Sequence, residues 1–215
     1  MDTVVLTPDN HILINDEINN VTMLDASRKL AEMSVKLPDD ATITIVLDSP
    51  GGSVIDGNDF INLLESVPQK IRMVTLSAAS MAFSIFQHAD ERLITPKGIL
   101  MQHRPSITLS GNFNTGEVES RLKLFTDITN EQVKHESQKM GLSEEAFRTL
   151  THNELWLMGQ DAVNKKAADS VVKLRCSKAL LDSVLEGKIE TIFGVFTYKY
   201  SACPLVKGLF DVKMG

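Results

Sequence analysis

Between residues 21 and 75 the chain switches repeatedly between two hydrophobic periods, and this alternation constrains its fold more than any other feature. Met23, Ala26, Leu30 and Met33 recur at helical spacing. Pro38-Asp39-Asp40 ends that pattern, and Thr42-Ile43-Thr44-Ile45-Val46-Leu47 follows as a β-branched run of the buried-strand type. Residues 57–66 return to the helical period with Phe60, Leu63 and Leu64, and residues 71–75 to the strand type. Ile12-Leu13-Ile14 reads as a first strand and Ile99-Leu100-Met101 as a later one. Parallel strands need crossovers long enough to hold a helix, so strands alternating with helices predict an α/β fold with a mainly parallel sheet.

Residues 106–116 are rich in turn formers and predict a loop or short hairpin. Residues 117–140 read as one long helix, with Val118, Leu122, Phe125, Ile128 and Val133 forming an apolar stripe among many charges. At 1.5 Å per residue it would extend roughly 36 Å, long for a chain of this size. Residues 177–185 predict a helical stretch, and residues 189–200 an alternating β-like segment with Phe193, Phe196, Tyr198 and Tyr200.

Composition narrows the class of protein. The 215 residues, 43% hydrophobic, can bury one substantial core and show no second compositional regime, so residues 1–215 are expected to form a single domain. A net charge of −6 argues against a nucleic-acid partner. No apolar run approaches the roughly 20 residues that span a bilayer, and Met1-Asp2-Thr3 lacks a basic leader, so a cytoplasmic protein without membrane contact is expected. Cys176 and Cys203 lack metal-like spacing and are expected to be reduced, buried thiols. Neither a metal nor a cofactor is expected.

Chemistry gathers around one serine. In Leu76-Ser77-Ala78-Ala79-Ser80-Met81-Ala82, Ser80 lies among small residues between a strand-like and a helix-like run. A hydroxyl there sits beside a helix N-terminus, whose free N–H groups favour developing negative charge. The same placement also suits a plain helix cap. Of the five histidines, His103 alone ends an apolar strand shortly before a proline; His11, His88, His135 and His152 are expected to face solvent. Imidazole titrates near neutrality and suits a general base, and an ordinary half-buried histidine fits the position equally well. Glu154 could orient such a base, yet Thr151-His152-Asn153-Glu154 also fits a helix capping box. Ser49-Pro50-Gly51-Gly52 permits close backbone approach to a substrate, or is simply a turn.

Four motifs in order decide between these readings. Asp48-Ser49-Pro50-Gly51-Gly52-Ser53, Ala78-Ala79-Ser80-Met81, Met101-Gln102-His103-Arg104-Pro105, and Glu154-Leu155-Trp156 leading to Gly159-Gln160-Asp161 together resemble the Clp protease proteolytic subunit family. Its members read Ser-Pro-Gly-Gly, Ala-Ala-Ser-Met, Met-Ile-His-x-Pro and an acid shortly before an aromatic. The resemblance covers residues 10–174 and leaves residues 175–215 as a C-terminal extension with no family counterpart. It implies a repeated ββα spiral shared with crotonases, with the long helix as a handle.

It also implies a self-compartmentalising serine endopeptidase acting on extended or unfolded polypeptides. Ser80 would be the nucleophile, His103 the base and Glu154 the orienting acid, with Asn153 a neutral alternative. The N–H groups of Gly52 and Met81 would form the oxyanion hole. Ser53, Val54 and Ile55, facing the segment after His103, would pair with extended peptide. Homo-oligomeric stacked rings are implied, and a ring ATPase unfoldase as partner. Because only residues 1–10 precede the first strand, peptidase activity without ATP is expected. The short N-terminal segment and the C-terminal extension suggest a divergent or phage-type member, while Leu76 stands where the family usually has glycine and Glu154 where it usually has aspartate, departures that keep a non-catalytic subunit open. Two competing functions are a non-catalytic ring subunit and a crotonase-like acyl-CoA enzyme, which would not need Ser80, His103 and an acid together.

Overall fold

A computed structural model describes residues 1–108, 110–192 and 194–214. Leu109 in the turn-rich segment and Phe193 in the alternating tail lie outside the described residues. The elements in chain order are β1 (Thr3–Leu6), β2 (His11–Ile14), α1 (Asn20–Lys36), β3 (Thr42–Ser49), α2 (Val54–Ser66), β4 (Lys70–Ala79), α3 (Met81–Gln87) and β5 (Glu91–Gln102). Then come α4 (Thr115–Met140), α5 (Glu144–Leu150), β6 (Leu155–Met158), α6 (Gln160–Asn164), β7 (Ser170–Val171), β8 (Lys173–Cys176), α7 (Lys178–Asp182), β9 (Val184–Thr191), β10 (Gly194–Ser201) and β11 (Leu209–Met214).

The main sheet has the order β2-β3-β4-β5-β6, with β7 also paired to β5. Its first four strands are parallel and β6 runs antiparallel to β5. This is the α/β architecture that the alternating periods predict. Side-chain alternation divides β3 between two cores. Ile43, Ile45 and Leu47 join Met23, Leu30, Phe60 and Phe83 under α1, α2 and α3. Val46 faces the other way, toward Leu6, Cys176, Leu180 and Cys203. Leu76 packs into this second cluster too, which gives a leucine at that position a clear use.

The chain departs from the expected pattern in four places. Residues 1–10 contain β1, which pairs in parallel with β8 from Thr3↔Lys173 to Leu6↔Cys176. β5 begins at Glu91, well before the expected strand at Ile99. Its first half carries charges whose partner is remote in sequence: Asp169 accepts from both the backbone N–H and the guanidinium of Arg92. The tail is a three-stranded antiparallel sheet of order β11-β10-β9, because Gly194, at φ 127°, lets the chain reverse within the segment read as one strand. Finally, Cys176 and Cys203 form a disulfide, contrary to the expected reduced thiols. Both are buried in the second core, where β8 and the segment after β10 converge.

Replacing both cysteines by serine should cost about 3–4 kcal/mol for the 27-residue separation they span. Thermal unfolding with and without reductant checks this, and equal midpoints would contradict it.

The predicted long helix is α4, 26 residues capped by Asn114 and Glu117 in a capping box and ended by Gly141 in the left-handed region. Its buried residues, Val133, Glu136, Ser137 and Met140, all lie in its C-terminal third. Leu122 and Leu124, nearer its start, are 45% and 59% exposed. Among the described residues no helix is long and apolar enough to cross a membrane.

Candidate active site

Strand β4 runs directly into α3, and Ser80 is the single residue between them. The reversal forces it to φ 53°, a conformation costly for any residue with a Cβ. Three backbone bonds hold it there: Ser80 N–H donates to the Met101 carbonyl at 2.9 Å, and its own carbonyl accepts from Phe83 and Ser84 at 2.9 and 3.2 Å. The hydroxyl caps no helical N–H, so the plain N-cap reading fails. Instead Ser80 Oγ lies 2.8 Å from His103 Nε2. With the hydroxyl donating, Nε2 is the acceptor and Nδ1 carries the ring proton.

His103 immediately follows β5, the strand paired to β4, so the sheet itself sets the spacing of Ser80 and His103. The His103 backbone N–H donates to Gln102 Oε1 at 3.0 Å. The glycine turn closes a third side. Ser49 Oγ donates to the Asp16 carbonyl and accepts from Gly51 N–H, while Ile18 N–H donates to the Gly51 carbonyl at 2.8 Å. A Cβ on Gly51 would stand 2.8 Å from Ser80 Cβ and 2.9 Å from Met81 N, so only glycine lets this turn lie against Ser80. Gly52, Ser80, Met81 and His103 line one small depression. Among the described residues no protein acceptor engages the Gly52 or Met81 N–H. Beyond His103 a larger pocket of about 300 Å³ opens over Phe147, Val133 and Glu136.

The family profile described as Clp protease matches residues 2–175. The chain belongs to the Clp protease family. It is similar to ATP-dependent Clp protease proteolytic subunit 1 of Streptomyces avermitilis, 25% identical over 167 residues, 75% of each chain. It is similar at the same identity to ATP-dependent Clp protease proteolytic subunit 3 of Streptomyces coelicolor, over 165 residues and again 75% of each chain.

Against the Clp protease motifs, the remaining predicted residues divide. Gln102 pairs with Leu155 at the end of the antiparallel β5–β6 ladder, so His103 and Glu154 are the next residues outward. The Glu154 carboxylate, however, accepts from Trp156 Nε1 at 3.0 Å, and among the described residues no side chain is bonded to His103 Nδ1. Glu154 stands at φ 79°, another strained non-glycine backbone. The capping-box alternative is absent: Thr151 ends α5 and its hydroxyl donates back to the Phe147 carbonyl. Asn153 lines a separate hollow with Arg148 and His152.

Ser53, Val54 and Ile55 do not form a strand edge. Ser53 caps α2 by accepting from Asp56 N–H, its own N–H donates to the Ile18 carbonyl, and Val54 and Ile55 are helical. Val54 lines the Ser80 depression, whereas Ile55 is exposed. Three histidines expected in solvent are engaged instead, the first being His11, half-buried with its Nδ1 donating to the Thr7 carbonyl at 2.9 Å. His88 Nδ1 donates to the Glu65 carboxylate at 2.9 Å, and its ring stacks on His135 with centroids 3.7 Å apart.

The sequence reading missed Glu136, which is almost wholly buried where α3, α4 and β5 meet. On a helix so rich in charge it reads as one more solvated carboxylate. Its position three residues after Val133 in the apolar stripe was the available signal.

Proposed function

We propose that this Clp protease family member is a serine endopeptidase cleaving peptide bonds in extended or unfolded polypeptides. The observation that carries the reading is the 2.8 Å contact between Ser80 Oγ, on a strained backbone, and His103 Nε2. His103 takes the Ser80 proton as Oγ attacks the scissile carbonyl, and the oxyanion accepts from the N–H groups of Gly52 and Met81. The protonated His103 gives its proton to the leaving amine, and water then hydrolyses the acyl-enzyme with His103 again as base. Glu154 completes the triad by turning from the Trp156 indole to His103 Nδ1, across the register position they share.

A fluorophosphonate probe tests the chemistry. Capture at Ser80 is expected; its absence from folded protein would favour the non-catalytic subunit or the crotonase-like alternative.

The same reading makes the protein a self-compartmentalising homo-oligomer of stacked rings, with the exposed half of α4 as the surface that meets another copy. An ATPase unfoldase would serve folded substrates only, so short peptides are cleaved without ATP. Leu122→Asp should split the assembly, as sedimentation velocity would show. A wild-type protein that stays monomeric at micromolar concentration yet cleaves peptides would overturn this part. A cytoplasmic location goes with this function, and the Cys176–Cys203 bond would then have to persist against a reducing pool.

A further inference from the structure

Glu136 is 2% exposed and takes no part in the proposed chemistry, yet it touches both elements that carry it. Ser84, one turn after the nucleophile on α3, donates its hydroxyl to Glu136 Oε1 at 2.6 Å. Gln102, the residue before the base, directs its NH2 group to both carboxylate oxygens, at 2.8 and 2.9 Å. The other end of that amide, Oε1, accepts the backbone N–H of His103. The two ends are linked by chemistry. A carboxylate offers only acceptors, so Gln102 must turn its NH2 inward and its carbonyl toward His103. Reversing the amide would set oxygen against oxygen at Glu136 and donor against donor at His103.

We propose that Glu136 is a positioning residue for the base: as a two-acceptor carboxylate it fixes the Gln102 amide and, through it, holds His103 at Ser80. The proposal rests on the peptidase reading. Removing one acceptor removes the constraint. A glutamine at 136, or a proton on the carboxyl, presents a donor toward Gln102, which is then free to turn and release the His103 N–H.

Burial pushes the Glu136 carboxyl up to about 7, against the opposing pull of Ser84 and Gln102. The charged and titratable groups lining the pocket beside it are His103 and Arg104 after β5 and Arg148 on α5; α3 faces it with the neutral Ser84. Among the described residues neither arginine is ion-paired to it. Activity and stability therefore respond oppositely to its proton. The folded state binds that proton more tightly than the unfolded chain, so the stability from this group is full below the ordinary glutamate range and falls as pH rises through about 7. Positioning of His103 improves over the same interval.

The test compares wild type, Glu136→Gln, Gln102→Met and the double variant, using a fluorogenic peptide from pH 5 to 9 together with thermal unfolding. Glu136→Gln should lower kcat about tenfold or more with KM nearly unchanged, the scale set by a misplaced catalytic group. Its melting temperature should lose the wild-type decline between pH 5 and 8. The acid limb of log kcat/KM should be a single-proton limb in Glu136→Gln and steeper in wild type, by the roughly tenfold loss that a proton on Glu136 brings as pH falls through about 7, so that the two converge near pH 5. Gln102→Met should show a similar loss of kcat, and adding Glu136→Gln to it should change little, because the pair acts as one unit. Should Glu136→Gln fail to fold, Gln102→Met alone must still show the fall in kcat and the single-proton limb. A wild-type kcat in the folded variants, an unchanged slope, or additive losses would overturn the proposal. A wild-type protein inactive on peptides and unlabelled by fluorophosphonate would instead remove the peptidase reading beneath it.

Discussion

Ser80→Ala should abolish peptide hydrolysis, by about four orders of magnitude or more, and leave the fold and assembly intact. The large effect follows from geometry: Ser80 supplies the one hydroxyl held within hydrogen-bonding distance of His103 among the described residues, at 2.8 Å. The nearby serines have other occupations. Ser84 is buried with its hydroxyl given to Glu136, and Ser49 donates to the Asp16 carbonyl. Removing Oγ breaks no cap, since Ser80 caps none, and leaves the backbone bonds to Met101, Phe83 and Ser84 in place. Relief of φ 53° is not available to alanine either, so the variant should melt close to wild type. Circular dichroism and sedimentation on the same sample separate lost chemistry from lost structure. A Ser80→Ala protein that cleaves the fluorogenic peptide at the wild-type rate would place the nucleophile elsewhere.

The parts of this site that could be read from the chain are those fixed by local order. Thr42 to Leu47 announces a buried strand because β-branched residues cluster there, and Ser80 follows a strand and precedes a helix in sequence as in space. His103 is legible because β5 and β4 are neighbours, so the ends of both strands meet. What stayed hidden depends on partners remote in sequence. Arg92 looks unlike a strand residue until Asp169 arrives beside it. Ile18, fully buried, holds the glycine turn from a loop with no motif of its own. The disulfide requires β8 and the segment after β10 to converge, which no spacing of two cysteines reveals. The resemblance implies that Ser53, Val54 and Ile55 pair with extended peptide, but Ser53 has a side chain able to cap, and the helix starts at once after it. Glu154 was found by its distance to Trp156, and the same closeness gives its carboxylate a competing donor.

That competition leads to a graded expectation for the other two members of the proposed triad. His103→Ala should approach the loss seen for Ser80→Ala, because without Nε2 nothing at 2.8 Å accepts the Oγ proton. Glu154→Ala should cost less, about ten- to a thousandfold, since an orienting acid stabilises the imidazolium and its tautomer without itself transferring the proton. Part of the energy of a Glu154–His103 bond is offset by the indole bond given up to form it. Trp156→Phe removes that competitor while keeping an aromatic ring, and should preserve or raise kcat. If Glu154 instead serves only to hold Trp156, then Trp156→Phe and Glu154→Ala should have equal and small effects. Steady-state kinetics of the three variants, compared at the pH of maximal wild-type activity, distinguish these cases. A wild-type rate for Glu154→Ala would leave a Ser80–His103 dyad as the whole catalytic apparatus.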